Sequence, residues 1–271
     1  MEPVKAVVIM SVYRSDSLTF FIDAVNSILN QTKPCQLLIY RDGPVSEDVQ
    51  LYMDSLSTHE RVNIFWGDVN KGLAFALNYL IDKALDIKAE YILRMDSDDI
   101  ALAYRVEKQV EFMDAHPSIG VSGSSCEEFG ATFAIEKKSL PSDHQSLISF
   151  SIVRCPFIHP TVIFRASVLG DGIRYPEDTY LTEDMALWFS LLYSGVRFAN
   201  MQDVLLKYRL NELTLKRRKG ISKAISEVKL RFKYMYLLDM TSAKNVLLIC
   251  ARLVFHLLPF TVVKFIYKKL R

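Results

Sequence analysis

Three carboxylates fall within four residues at Asp96-Ser97-Asp98-Asp99, directly after the apolar run Tyr91-Ile92-Leu93 and Arg94. Like charges this close repel, and each resists burial unless something positive neutralises it. The two local candidates are Arg94 and a bound divalent cation. Hard cations such as Mg²⁺ or Mn²⁺ prefer carboxylate oxygens, and Mg²⁺ usually keeps waters and substrate phosphates as its other ligands. A strand that ends in Asp-x-Asp is therefore a place to hold a metal–diphosphate. Taken alone, the four residues favour a plainer reading, a solvated acidic turn capping a helix that starts near Ala101. A second acidic pair, Glu183-Asp184, follows Thr182 and opens an apolar helix. By itself it reads as an N-cap with an acidic first turn.

The elements that must position these groups can be read from hydrophobic periodicity. Strands are predicted at Val4–Met10, Gln36–Tyr40, Val62–Trp66 and Tyr91–Leu93, with Ser11-Val12-Tyr13-Arg14 as a loop. Between them lie helices over Leu18–Asn30, Glu47–Leu56 and Leu73–Ala84. This β-α alternation argues for a parallel sheet with helices on both faces. In such sheets, ligands bind outside the carboxyl ends of the strands. No Gly-x-Gly-x-x-Gly follows the first strand and no P-loop motif occurs, so dinucleotide and P-loop chemistry are disfavoured. Further on, the sequence predicts a helix over Ala103–Ala115 and strands at Ile119–Ser125, Glu128–Ala134 and Thr161–Phe164. Ser146–Val153 is mixed. A helix over Met185–Ser194 and one or two strands within Val196–Leu210 complete the pattern.

The chain has 271 residues, half of them hydrophobic, enough for one large domain or one domain plus an appendage. A net charge of +2 gives no reason to invoke nucleic acid. Cys35, Cys126, Cys155 and Cys250 are scattered without Cys-x-x-Cys spacing, so zinc is disfavoured. No secretory signal precedes the first strand, and free thiols in a reducing cytoplasm are expected.

The end of the chain differs in character. Leu215-Lys216-Arg217-Arg218-Lys219 is basic, and Ser222–Leu238 reads as a helix mixing basic and apolar residues. Asn245–Tyr267 is very apolar, yet Arg252, His256, Lys264 and Lys268 share one side of a helix. Arg252 and His256 would sit mid-bilayer in a spanning helix, which is costly. A helix lying in the membrane interface is preferred, a helix docked on the catalytic domain comes second, and a spanning helix third.

Ser11-Val12-Tyr13, Asp42-Gly43, Asn70-Lys71-Gly72, Asp96-Ser97-Asp98-Asp99 and Thr182-Glu183-Asp184 occur in that order, each at a predicted strand end or helix start. The arrangement, over about residues 4 to 210, resembles the family 2 inverting glycosyltransferases of bacterial surface-polysaccharide synthesis. That resemblance implies an α/β fold of the GT-A type, a Rossmann-like, mainly parallel mixed sheet. Residues 1–212 would form the catalytic domain and 213–271 a basic, amphipathic, membrane-associating appendage. It also implies roles. Ser11, Val12 and Tyr13 would form the first loop around the nucleotide, and Asp42 would read the base. Asn70, Lys71 and Gly72 would sit near base and ribose. Arg94 and Asp96 would line the ribose and diphosphate. Asp98, with Asp96, would bind Mn²⁺ or Mg²⁺, and Asp99 is a further candidate ligand. Asp184 would be the catalytic base with Glu183 beside it. The rigid loop around His159, between Pro156 and Pro160, could touch the diphosphate or the acceptor, or hold a structural histidine. Trp188 is either core packing or an aromatic face for a sugar. Tyr175-Pro176-Glu177-Asp178 could help select the acceptor.

The residue types suit the chemistry. Displacing a nucleoside diphosphate from an anomeric carbon builds negative charge that a divalent cation stabilises. A carboxylate can take the proton of the attacking hydroxyl. The expectation is a metal-dependent inverting enzyme, peripheral on the cytoplasmic face of the bacterial inner membrane. It would move a hexose from a UDP-sugar to a polyprenyl diphosphate-linked saccharide in O-antigen, capsule or exopolysaccharide synthesis. A dTDP-sugar donor is the alternative, because Asp42 can read either pyrimidine. The rivals are a nucleotidyltransferase, which would carry a glycine-rich loop after the first strand, and a sugar-nucleotide-binding scaffold without activity. No Gln-x-x-Arg-Trp follows the candidate base, which favours single addition over processive synthesis.

Overall fold

The computed structural model describes residues 4–179, 181–210 and 221–257. Strands and helices alternate from the start: β1 (Ala6–Tyr13), α1 (Leu18–Leu29), β2 (Gln36–Asp42), α2 (Glu47–Leu56), β3 (Val62–Trp66), α3 (Leu73–Asp86) and β4 (Tyr91–Met95). Then come β5 (Ile100–Ala101), α4 (Arg105–Ala115), β6 (Ile119–Phe129), α5 (His144–Ser151), a single 3₁₀ turn (His159–Thr161), β7 (Ile163–Arg165) and α6 (Ser167–Gly170). The remainder is α7 (Glu183–Tyr193), β8 (Arg197–Arg209), α8 (Ile221–Leu237) and α9 (Ala243–Leu257).

The strands form one sheet in the order β3-β2-β1-β4-β7-β6-β8-β5. The pairs among β3, β2, β1 and β4 are all parallel. β7 lies antiparallel between β4 and β6, while β6 and β8 are parallel again. Alternation along β1 divides the core. Ala6, Val8, Met10 and Val12 meet α1, α2 and α4 on one face, and Val7 and Ile9 meet α3 and α7 on the other.

Several expectations are corrected. Ser11–Tyr13 is not a loop: β1 continues to Tyr13, whose partner is Asp42, because Val12 is fully buried and extends the apolar alternation. The acidic turn does not lead directly into a helix. β5 intervenes and pairs with β8, and α4 begins at Arg105, where Gln31 Oε1 accepts the Val106 amide. Glu128–Ala134 is not a separate strand. β6 runs unbroken to Phe129, and Gly130 (φ +86°) then turns the chain so close to Leu210 that an added Cβ would lie 2.8 Å from its carbonyl oxygen. His144–Ser151 is helical, started by Asp143, whose side chain accepts the Ser146 amide.

α8 docks on α5 and α7 through Met235, Tyr234, Phe189, Met185 and Ile152. Ile249 of α9 is buried in the same cluster, and Arg252 pairs with Glu227 instead of forming a free basic edge. The described part of the apolar segment thus docks on the domain along one side. Leu247 on α9 is 71% exposed. Among the described residues no helix is long and apolar enough to cross a membrane. Lys216–Lys219, Lys264 and Lys268 lie outside the described residues.

Candidate active site

One cleft of about 500 Å³ opens at the carboxyl ends of β1, β2 and β4. Ser11, Tyr13, Asp42, Asn70 and Gly72 line one part of it. Asp96 and Asp98 line the floor, and His159, Glu183 and Asp184 the far side. Residues separated by more than 170 positions in sequence are brought together because β1, β4 and β7 are adjacent in the sheet.

The Asp42 and Asn70–Gly72 motifs act first on each other. Asp42 Oδ1 accepts the Lys71 amide at 2.7 Å and Oδ2 the Gly72 amide at 2.9 Å. The carboxylate thereby caps α3, a stabilising place for negative charge. Gly72, at φ +92°, holds a backbone that L side chains rarely adopt. Gly43, at φ +82°, has a further reason besides: a Cβ there would lie 2.6 Å from the Asn70 amide nitrogen. Lys71 does not line the cleft; its ammonium sits 4.3 Å from the centre of the Phe75 ring. Val12 points into the core, so only its backbone is near the cleft.

The acidic floor rests on two buried arginines. Arg94 is 2% exposed, ion-paired with Asp96, and lies beneath the cleft instead of lining it. Arg105 donates to the Arg94 carbonyl at 2.7 Å, to Met95 Sδ and to Gln109 Oε1. Asp99 is fully buried, and its Oδ1 accepts the Arg209 amide at 2.7 Å. Arg209 also donates through Nε to the Asp98 carbonyl, and its guanidinium stacks between Phe20 and Phe129. Burial, with the charges of Asp96 and Asp16, pushes the Asp98 carboxyl up to about 7. Burial, with the charges of Asp96 and Asp98, raises Asp99 well above its ordinary value. Such shifts mark carboxylates that are buried and crowded by one another.

Whether these residues fit a divalent cation follows from their atoms. One oxygen from each of Asp96, Asp98 and Asp99 falls within a 4.8 Å group, and Asp99 Oδ2 is buried with no hydrogen-bond partner among the described residues. An all-oxygen donor set with an orphaned carboxylate oxygen fits a hard cation.

Opposite the acidic floor, Glu183 and Asp184 open α7. Burial raises the Glu183 carboxyl above its usual range, and the adjacent Asp184 charge adds to this. Asp184 Oδ2 accepts from the Cys155 thiol at 3.5 Å and Oδ1 from the Met185 amide at 2.7 Å. His159 Nε2 bonds the Tyr175 hydroxyl at 2.8 Å, and burial together with Arg94 keeps the imidazole neutral. Asn78 of α3 holds Tyr175 from both its amide and its carbonyl. Trp188 is 1% exposed, packed against Phe157, Phe164 and His159. It is core, and its ring has no face open to a sugar.

Sequence reasoning missed Asp16, Ser97, Leu181, Tyr208, Arg209 and Lys223, all of which line the cleft. Asp16 sits just before α1, and its Oδ2 accepts from both the Tyr13 amide and the Ser97 hydroxyl. Arg209 and Lys223 carry no local signal, since only the return of β8 and α8 brings them to the site.

The family description "Glycosyl transferase family 2" matches residues 7–171. A UDP-Gal:alpha-D-GlcNAc-diphosphoundecaprenol beta-1,3-galactosyltransferase of Escherichia coli is 33% identical over 97% of this chain and 94% of its own length. The amylovoran biosynthesis glycosyltransferase AmsE of Erwinia amylovora is 29% identical over 97% of each chain. Among solved structures, S. aureus TarS 1–349 in complex with UDP-GlcNAc superposes with a TM-score of 0.63 at 15% identity, over 89% of this chain and 74% of that one.

Proposed function

The chain belongs to glycosyl transferase family 2, and from that premise we propose that it transfers a hexose from a UDP-sugar to a polyprenyl diphosphate-linked saccharide in surface-polysaccharide synthesis. The observation that carries this reading is a single cleft with an acidic, metal-fitting floor and a carboxylate pair on its far side. The named activity of the E. coli relative supports the donor and acceptor classes.

In the proposed reaction, Ser11, Tyr13, Asp42, Asn70 and the backbone at Lys71 and Gly72 receive the nucleoside. Asp96 and Asp98, with Asp99 behind them, would hold Mn²⁺ or Mg²⁺. When bound, the cation would neutralise charge on the departing diphosphate. Arg94 and Arg105 keep the floor from repelling that diphosphate. Asp184 accepts the proton of the acceptor hydroxyl as its oxygen attacks the anomeric carbon. The bond to the diphosphate breaks on the opposite side, so one displacement inverts the anomeric centre.

The protein would act as a peripheral enzyme on the cytoplasmic face of the inner membrane, with residues 1–212 catalytic and 213–271 contacting the bilayer. The exposed Leu247 on α9 and the basic sequence at Lys216–Lys219 suit an anionic surface. The test is calorimetric titration of UDP, TDP and GDP with and without Mn²⁺, on wild type and Asp98→Ala. Mn²⁺-dependent UDP binding, lost in Asp98→Ala, supports the reading. Tight binding of TDP alone moves the donor to a dTDP-sugar. A folded protein that binds no nucleotide leaves a scaffold without activity.

A further inference from the structure

Lys223 lies in the first turn of α8, and its side chain lines the cleft beside Leu181, Glu183 and Asp184. Its charge reaches Glu183, where it opposes the effect of burial. Folding does not account for a lysine at this place. A cation in the first turn opposes the helix macrodipole. The helical neighbour that would pair with it, four residues on, is Glu227. Glu227 Oε1 instead accepts from Arg231 Nε at 2.9 Å and from Arg252 Nε. No carboxylate of the described residues forms an ion pair with Lys223.

The helix that presents Lys223 is fixed in place. One turn on, Ser226 Oγ bonds Thr182 Oγ1 at 2.9 Å, tying α8 to the residue before Glu183. Two turns on, Arg231 is buried and donates to the carbonyls of Ser151 and Ile152, both at 2.8 Å. The cation is therefore held at the base side of the cleft, across from the acidic floor that would take the donor diphosphate.

We propose that Lys223 anchors the diphosphate of the acceptor, a proposal that rests on the transferase reading above. An acceptor sugar whose hydroxyl meets Asp184 carries its own diphosphate one pyranose ring away, and Lys223 lines the same cleft as Asp184. A lysine serves there as a point charge for phosphate oxygens. The donor also carries a diphosphate, and the experiment separates the two sources.

Full-length wild type, Lys223→Ala and Lys223→Arg are compared with UDP-galactose and Mn²⁺ on two acceptors. One is N-acetylglucosamine α-linked through a diphosphate to a short alkyl chain. The other is the same sugar on a neutral alkyl aglycone. Each variant is also titrated with UDP. Wild type is expected to prefer the diphosphate acceptor, and Lys223→Ala to lower the ratio of the two kcat/KM values by about tenfold to a hundredfold, the loss of one charge-assisted contact. Lys223→Arg should restore most of it. Equal losses on both acceptors, or a matching loss of UDP affinity, would overturn the proposal and assign Lys223 to the donor or to folding. If wild type uses neither acceptor, the acceptor reading fails and this proposal with it. A ratio unchanged in Lys223→Ala removes Lys223 alone.

Discussion

The Cys155 thiol donates to Oδ2 of Asp184 across 3.5 Å, while the Met185 amide occupies Oδ1 at 2.7 Å. The carboxylate is thus steered from two sides before any substrate arrives. Burial, with the Asp184 charge, pushes the thiol pKa up, so Cys155 stays protonated and keeps its donor. Cys155→Ser should retain the donor and most of the activity. Cys155→Ala should lower kcat severalfold with the KM for the donor nucleotide-sugar unchanged. Steady-state kinetics of both variants decides this, and equal loss in the two would mean that packing alone matters.

Asp184 and Glu183 are neighbours with different surroundings, which makes their comparison informative. Asp184→Asn should reduce kcat by about two to four orders of magnitude, the usual worth of a general base. Glu183→Gln should cost much less, since it leaves the proposed proton acceptor, Asp184, in place. If the glutamine variant were the inactive one, the assignment of the base to Asp184 would be wrong.

Asp42 accepts two amides at the start of α3, so a change there acts on folding as well as on the proposed nucleotide contact. Asp42→Asn turns one acceptor into a donor facing an N–H group, at a cost of about 1–3 kcal/mol. The urea midpoint and UDP affinity should fall together. Lost affinity at unchanged stability would show that Asp42 acts on the base alone.

The acidic floor gives the metal-free protein a pH-dependent stability. The folded Asp98 carboxyl lies at about 7, above the 3.8 of an ordinary aspartate, so the folded state binds this proton more tightly. The associated stabilisation is full below the unfolded value and is lost as pH rises through about 7. Melting temperature without metal should therefore fall between pH 5 and pH 8, and less so in Asp98→Asn. Added Mn²⁺ should raise it more at pH 8 than at pH 5, because the ligands must be deprotonated. Thermal scans at both pH values provide the check; a larger Mn²⁺ effect at pH 5 would contradict the site.

Trp188 tests the division between core and site. Its Nε1 has no hydrogen-bond partner among the described residues. Trp188→Phe removes that buried donor while keeping an aromatic ring, and should change stability by less than about 1.5 kcal/mol. Trp188→Ala should cost about 3–5 kcal/mol. The acceptor KM of the folded Trp188→Phe protein should match wild type; a severalfold rise would show that the ring reaches the acceptor.

Local pattern carried much of this molecule. The apolar runs that became β2, β3 and β4 and the periodic stretches that became α1 to α3 were legible, because burial selects residue type at each position. Element ends were less so. Ser11–Tyr13 looks polar enough for a loop, yet pairing with Gln36–Asp42 extends β1 through it. A strand formed by a distant partner leaves only a weak mark on its own residues.

The site divides in the same way. The sequence by itself determined the polar clusters that gather at the cleft: the carboxylates Asp96, Asp98 and Asp99, the pair Glu183-Asp184, and the Asp42 and Asn70–Gly72 turns. Each is a cluster of polar residues at the end of an apolar run, so its chemistry is local. Only the tertiary structure decided what surrounds them. Arg105 beneath the floor, Arg209 against Asp99, Cys155 beside Asp184, and Lys223 in the cleft arrive from elements whose own patterns give no reason to face it. It also decided against Val12, Lys71, Arg94 and Trp188 as lining side chains. The physical reason is that a side chain's neighbours are set by which strands and helices pack side by side, and that order is a property of the whole sheet.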